Sequence, residues 1–232
     1  MPFFGFDSTM ILLIPALIFA FWAQFKVQST YAKFSKVRSA SGRTGREMAA
    51  AIMSRNGVTD VNIEEVGGTL SDHYDPRSKS VRLSTHNYRE SSIASIAVAA
   101  HEVGHVLQHA TGYFPLQIRS TLVPVAGFGS MLAFPLFFVG ILLGNASVAP
   151  FLMDIGILLF TGAVLFQVVT LPVEFDASSR ALAQLTSTGA IRPEEVGMAK
   201  QVLNAAALTY VAAAAMAALQ LIRMVLIRNS RD

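Results

Sequence analysis

With 232 residues, the chain is long enough for one compact domain plus a few membrane spans and excludes two large soluble domains. Only 14% of its residues are charged against 53% hydrophobic, whereas a soluble domain carries about 25% charged residues; with a mean hydropathy of +0.49, part of this surface does not face water. The net charge is a modest +3, and the absence of cysteine excludes disulfides, thiolate metal sites and thiol catalysis together.

The first apolar stretch covers residues 9–25 and can be lengthened by Phe3, Phe4 and Phe6. Basic residues follow it: Lys26, Lys33, Lys36, Arg38, Arg43 and Arg46. A secretory signal has the opposite order and a small-residue cleavage site, which is not found here. The pattern predicts a retained anchor, residues 1–25, with its N-terminus outside and the basic cluster cytoplasmic. Beside a span, such a cluster reads as a membrane flank and not as a nucleic-acid patch. The expected partner is therefore the lipid bilayer, and no nucleic acid.

Residues 26–119 have soluble, α+β character. Thr44-Gly45-Arg46-Glu47 is a capping box, in which threonine and glutamate side chains satisfy free backbone amides. It predicts a helix over residues 45–55, stopped by Asn56-Gly57. Short strands are expected near residues 61–66, 69–74 and 80–84, with Asp75-Pro76-Arg77-Ser78 turning between the last two. A second helix over residues 92–109 should end near Gly112.

That second helix carries His101-Glu102-Val103-Gly104-His105. Residues four apart lie one turn above each other, so both imidazoles project from one face. They suit one zinc ion with Zn–N distances of about 2.0–2.1 Å. Glu102, rotated about 100° around the helix, is placed to act as general base toward a zinc-activated water without ligating the metal. Gly104 keeps bulk off the helix where a backbone or substrate approaches. The bland alternative is a chance match in a buried helix. Two histidines and a glutamate in so apolar a run are costly without a partner, which argues against chance.

A transmembrane hairpin is expected over residues 120–171: apolar stretches at 122–143 and 151–171 flank the turn Gly144-Asn145-Ala146-Ser147. Residues 172–204 follow, then an Ala-rich apolar helix and tail over residues 205–232, interrupted by Thr209, Tyr210, Gln220 and Arg223. A catalytic zinc needs a third protein ligand. His109 drifts about 80° around the helix from His101 and reads better as a helix-end histidine. Position 111 is Thr111, so the metzincin pattern fails. His73 and His86 lie in or beside the strands. Glu174 is the better candidate. Pro172 should end or kink the third span and open a new helix, placing Glu174 and Asp176 in its first turn. There they either complement the helix dipole, or Glu174 completes a His-His-Glu site with Asp176 supporting a ligand from behind. Two spans separate His105 from Glu174, and an even number returns the chain to the same side.

Residues Leu70-Ser71-Asp72-His73-Tyr74-Asp75-Pro76-Arg77-Ser78-Lys79-Ser80-Val81-Arg82-Leu83-Ser84, followed by Val98-Ala99-Ala100-His101-Glu102-Val103-Gly104-His105, resemble the YugP-type neutral zinc metallopeptidases, a family of bacterial membrane proteases. The likeness covers about residues 42–182 and extends loosely to the end. It implies a minimal gluzincin core with an N-terminal anchor and a helical hairpin inserted before the third ligand. It puts the zinc ligands on His101, His105 and Glu174 and the base on Glu102. The arrangement is also similar to the membrane heat-shock and CAAX-processing metalloproteases, which carry Glu-x-x-x-Asp at the third ligand. Here Ser178 stands at the Asp position, which leaves open what orients the ligands. In gluzincin-like sites a substrate strand lies antiparallel to an edge strand, a part open to residues 69–74 or 80–84. Candidates to stabilise the oxyanion are His73, Tyr74, Tyr88, Tyr113 and Arg180.

The expectation is a mainly α integral membrane protein, with three to four transmembrane helices and a small α+β gluzincin-like core. Its activity would be that of a zinc-dependent metalloendopeptidase acting on membrane-associated proteins or peptides. The site would face the cytoplasm from a bacterial inner membrane. The rival is a non-catalytic zinc-binding membrane scaffold or regulatory subunit, in which Glu102 serves only structure. A channel or transporter finds little support, since Asp154, near a span end, is almost alone as an ionisable group within the spans. A homo-oligomer is compatible with the sequence, but no residue argues for one. If the fourth apolar stretch crosses, Arg223, Arg228 and Arg231 fall outside, against the positive-inside tendency.

Overall fold

The computed structural model describes residues 8–144 and 146–230; Phe3, Phe4, Phe6, Asn145 and Arg231 lie outside the described residues. In chain order, a 3-10 turn Ser8–Leu13 leads into α1 (Ile14–Phe34), then α2 (Gly45–Arg55), β1 (Asn62–Val66), β2 (His73–Asp75) and β3 (Ser80–Ser84). The short α3 (Thr85–Arg89), α4 (Ile93–Ala110), α5 (Phe114–Leu142), α6 (Ala149–Ser187) and α7 (Pro193–Asn229) complete it. Two compact units result. One comprises residues 1–23, 117–171 and 209–232, the other residues 24–116 and 172–208.

The first unit is the membrane portion. Among the described residues, four helices are long and apolar enough to cross: residues 9–34, 114–142, 149–187 and 193–229. Their outer surfaces carry side chains such as Phe128 and Leu158, the latter 71% exposed, which suits hydrocarbon and not water. Inside the unit, Ala133, Phe137, Met153, Phe160 and Met224 form a small buried cluster. Apolar burial drives little association in lipid, so close packing matters more. A Cβ on Gly156 would stand 2.8 Å from the Ala133 carbonyl oxygen, so α5 and α6 approach backbone to backbone there. Arg228 Nε lies 2.9 Å from Asp154 Oδ1. That pair neutralises one of the C-terminal cations that weigh against a fourth crossing.

In the second unit, the capping box forms as its sequence requires. Glu47 N donates to Thr44 Oγ1 at 3.2 Å and Thr44 N to Glu47 Oε2 at 2.8 Å. The sheet order is β1-β3-β2, with β1 parallel and β2 antiparallel to β3. Residues 80–84 therefore form the central strand. This corrects one expectation, because a strand paired on both sides cannot accept a substrate strand. The middle strand is also shorter than expected: Leu70 adopts φ +55° and Ser71 Oγ bonds the Gly67 carbonyl at 2.9 Å, so pairing begins only at His73. α3 carries no strong periodic signal and was not expected. The core joins α2 and α4 to the sheet and to the parts of α6 and α7 in this unit, through Met48, Ile52, Leu83, Ile96, Leu185 and Leu203.

A further correction concerns Pro172. α6 runs through it without a break, so Glu174 and Asp176 lie in a helix interior and not in a first turn. One missing N–H costs a helix about 3 kcal/mol, and the long hydrogen-bonded ladder on both sides outweighs it. The dipole explanation for the acidic pair lapses with the first turn.

Candidate metal centre

α4 starts at Ser92, whose Oγ accepts from Ser95 N at 3.0 Å. Along one face it then presents His101, His105 and Gln108, at spacings of four and three residues. On α6, Glu174, Ala177 and Ser178 share a face by the same periodicity. The two helices meet in antiparallel register: Ser178 reaches His101, Glu174 reaches both histidines, and Val173 and Asp176 reach Gln108. At the crossing, a Cβ on Gly104 would stand 2.5 Å from the Ala177 carbonyl oxygen. The neighbour that Gly104 admits is thus a backbone.

Glu174 Oε2 lies 3.2 Å from His101 Nε2 and 3.6 Å from His105 Nε2. The three ligand atoms all fall within 4.8 Å of one another. With bonds of about 2.0–2.1 Å, a tetrahedral zinc site has ligand–ligand edges of about 3.3–3.4 Å. The measured separations bracket that value, and the donor set suits zinc: two imidazoles and one carboxylate. Glu174 is 2% exposed, and a carboxylate so buried requires a positive partner.

Behind the ligands stands a layer of hydrogen bonds. His101 Nδ1 is 3.2 Å from Ser178 Oγ, and His105 Nδ1 is 3.0 Å from Gln108 Oε1. The Gln108 amide donates to the Val173 carbonyl at 2.7 Å and to Asp176 Oδ2 at 2.8 Å. Asp176 in turn accepts from Arg180 Nε at 2.6 Å. Arg180 also reaches Thr111 Oγ1 at 3.4 Å and lies over the Tyr113 ring. Ser178 supplies the partner of His101. Asp176 supports His105 at one remove, through Gln108.

Glu102 is buried and accepts no hydrogen bond from any described residue. Burial pushes its carboxyl above the usual carboxylate range, the two histidines oppose that rise, and Asp72 and Glu174 add to it. Burial alone would make His105 less basic. The Glu174 carboxylate, 3.6 Å from its Nε2, and the negative charge of Glu102 reverse this and raise it.

The remaining candidates are bonded elsewhere. His73 contacts Ser71 O and Arg82, Tyr74 bonds His109 at 2.7 Å, and Tyr88 lies under the Arg46 guanidinium. His86 sits edge-on to Tyr31. None is hydrogen-bonded to His101, His105 or Glu174. Gln108 escaped sequence reasoning. Its signal was a polar residue three positions after His105, on the buried face of an apolar helix.

Residues 9–229 match a family described as "Putative neutral zinc metallopeptidase". The chain is 51% identical over 224 residues to "Putative membrane protease YugP" of Bacillus subtilis (strain 168), covering 96% of this chain and 98% of that protein. No solved structure matches it. With the family match running along nearly all of a chain that has four candidate membrane-spanning helices among its described residues and a buried donor set that fits zinc, the chain belongs to this family of neutral zinc metallopeptidases.

Proposed function

We propose that the protein is a membrane-embedded zinc metalloendopeptidase that hydrolyses peptide bonds of membrane-associated proteins or peptides. The observation that carries this reading is the convergence of His101, His105 and Glu174 beside Glu102, a 7% exposed carboxylate on the same helix as the two histidines. His101 and His105 would hold the metal through Nε2, with Glu174 as third ligand. When bound, zinc supplies Lewis acidity, making a water acidic enough to ionise near neutral pH and polarising a carbonyl.

The rest falls to the chain. Glu102, with no internal partner to satisfy it, takes the proton from the attacking water and passes it to the departing amine. Gln108 and Ser178 hold the imidazoles in orientation. β2 is an edge strand and is the element suited to align an extended peptide. Between His105 and Glu174 the chain runs through the candidate span 114–142 and the N-terminal part of 149–187, which is compatible with a return to the same side, and the basic residues after the first span favour a cytoplasmic site in a bacterial inner membrane.

The test is Glu102→Gln in purified, bilayer-reconstituted protein, with zinc content and hydrolysis of a membrane-tethered peptide measured together. The reading predicts unchanged zinc and hydrolysis lowered at least 100-fold. Hydrolysis that survives the substitution would overturn Glu102 as the base, and unsubstituted protein that binds zinc yet cleaves no peptide would favour a zinc-binding scaffold.

A further inference from the structure

We infer that Gln108 is the positioning residue that locks His105 in the one tautomer able to bind metal through Nε2; the inference rests on the zinc reading of the site. Gln108 is fully buried, so every bond of its amide must be made within the protein. Its nitrogen faces two groups that can only accept from it, the Val173 carbonyl at 2.7 Å and the Asp176 carboxylate at 2.8 Å. Turning the amide over would set its oxygen against both acceptors, two oxygen–oxygen contacts with no hydrogen between them. The orientation is therefore fixed by chemistry, and Oε1 faces His105 Nδ1 at 3.0 Å.

A carbonyl oxygen accepts and cannot donate. Nδ1 of His105 must then carry the proton, and the lone pair must sit on Nε2, 3.6 Å from Glu174 Oε2. His101 is held differently. Its Nδ1 meets the hydroxyl of Ser178 at 3.2 Å, and a hydroxyl rotates to donate or accept. One imidazole is locked and the other adjustable. The lock is anchored in turn, because Arg180 holds Asp176 at 2.6 Å. The relay Arg180–Asp176–Gln108–His105 places an amide where many zinc sites place a carboxylate directly behind the histidine.

Cobalt(II) titration of the full-length protein in nanodiscs, read by visible absorption and chelator competition, tests this without recourse to activity. Gln108→Leu should bind cobalt about 10–100-fold more weakly with a changed band shape. Gln108→Glu should also bind weakly, since its carboxylate confronts Asp176. Adding Asp176→Asn to Gln108→Glu removes the clash of the two carboxylates while keeping an acceptor toward His105, and should recover part of the affinity, the Val173 carbonyl still facing an oxygen. Wild-type affinity and spectrum in Gln108→Leu would overturn the inference. So would a double variant no tighter than Gln108→Glu, which decides the matter even if Gln108→Leu fails to fold. His105→Ala serves as reference. Should the unsubstituted protein bind no cobalt, or His105→Ala bind it normally, the metal-centre reading falls and the inference with it.

Discussion

Gly104 of α4 and Ala177 of α6 touch backbone to backbone: a Cβ on the glycine would lie 2.5 Å from the alanine carbonyl oxygen. This contact sets the separation at which Glu174 reaches both histidines. Gly104→Ala should force the helices apart, costing about 1–3 kcal/mol of stability and weakening zinc binding, although no ligand is changed. Thermal unfolding in detergent and zinc titration check the two effects together. A variant with normal zinc affinity would mean that the helix spacing does not govern the site.

Ser178 Oγ lies 3.2 Å from His101 Nδ1. Ser178→Ala removes the partner and should lower zinc affinity about 10-fold, at the weak end of such losses, since the serine is a neutral partner. Ser178→Asp should match or exceed the wild type, because a carboxylate there raises the basicity of the ligand. Competition titration with a chromophoric chelator measures both.

Local signals carried far in this chain. The Thr44–Glu47 capping box marked the start of α2, and Ser92 with the run of alanines and isoleucines placed α4 to within a residue or two. The His101–His105 spacing needs only helical geometry, and counting spans allowed Glu174, singled out by its place after Pro172, as a third ligand. What depended on tertiary register was not legible. Nothing local says that α6 passes α4 in antiparallel register with Ala177 against Gly104, and without it Gln108 is only a buried amide. Strand order is equally non-local. It set residues 80–84 in the centre of the sheet and left β2 at an edge. Pro172 misled because propensity speaks for one residue, whereas the helix around it is held by the packing of Val173, Ala177, Ala181 and Leu185.

The exposed charges of the sheet give a pH prediction. Asp75 is held below the usual carboxylate range by bonds from Ser78, the Arg77 amide and Arg82, and Glu64 by bonds from Arg82 and Ser80. Carboxyls lowered in the folded state stabilise it above their unfolded values of about 3.9 and 4.3, and that contribution is lost as the pH falls through the folded values. Arg82→Gln should therefore lower the melting temperature at neutral pH and converge on the wild type below about pH 4. The comparison is made by differential scanning fluorimetry across pH. A gap that stays constant with pH would contradict it.

The account turns on Glu174 joining the histidine pair from another helix. The most direct measurement is isothermal zinc titration of wild-type protein and Glu174→Gln in bilayer discs, with circular dichroism to verify the fold. The account predicts one zinc per chain in the wild type, and at least a 100-fold loss of affinity on neutralising this one buried carboxylate while helicity is retained. Equal affinity in the two proteins would contradict it and send the third ligand elsewhere in the chain.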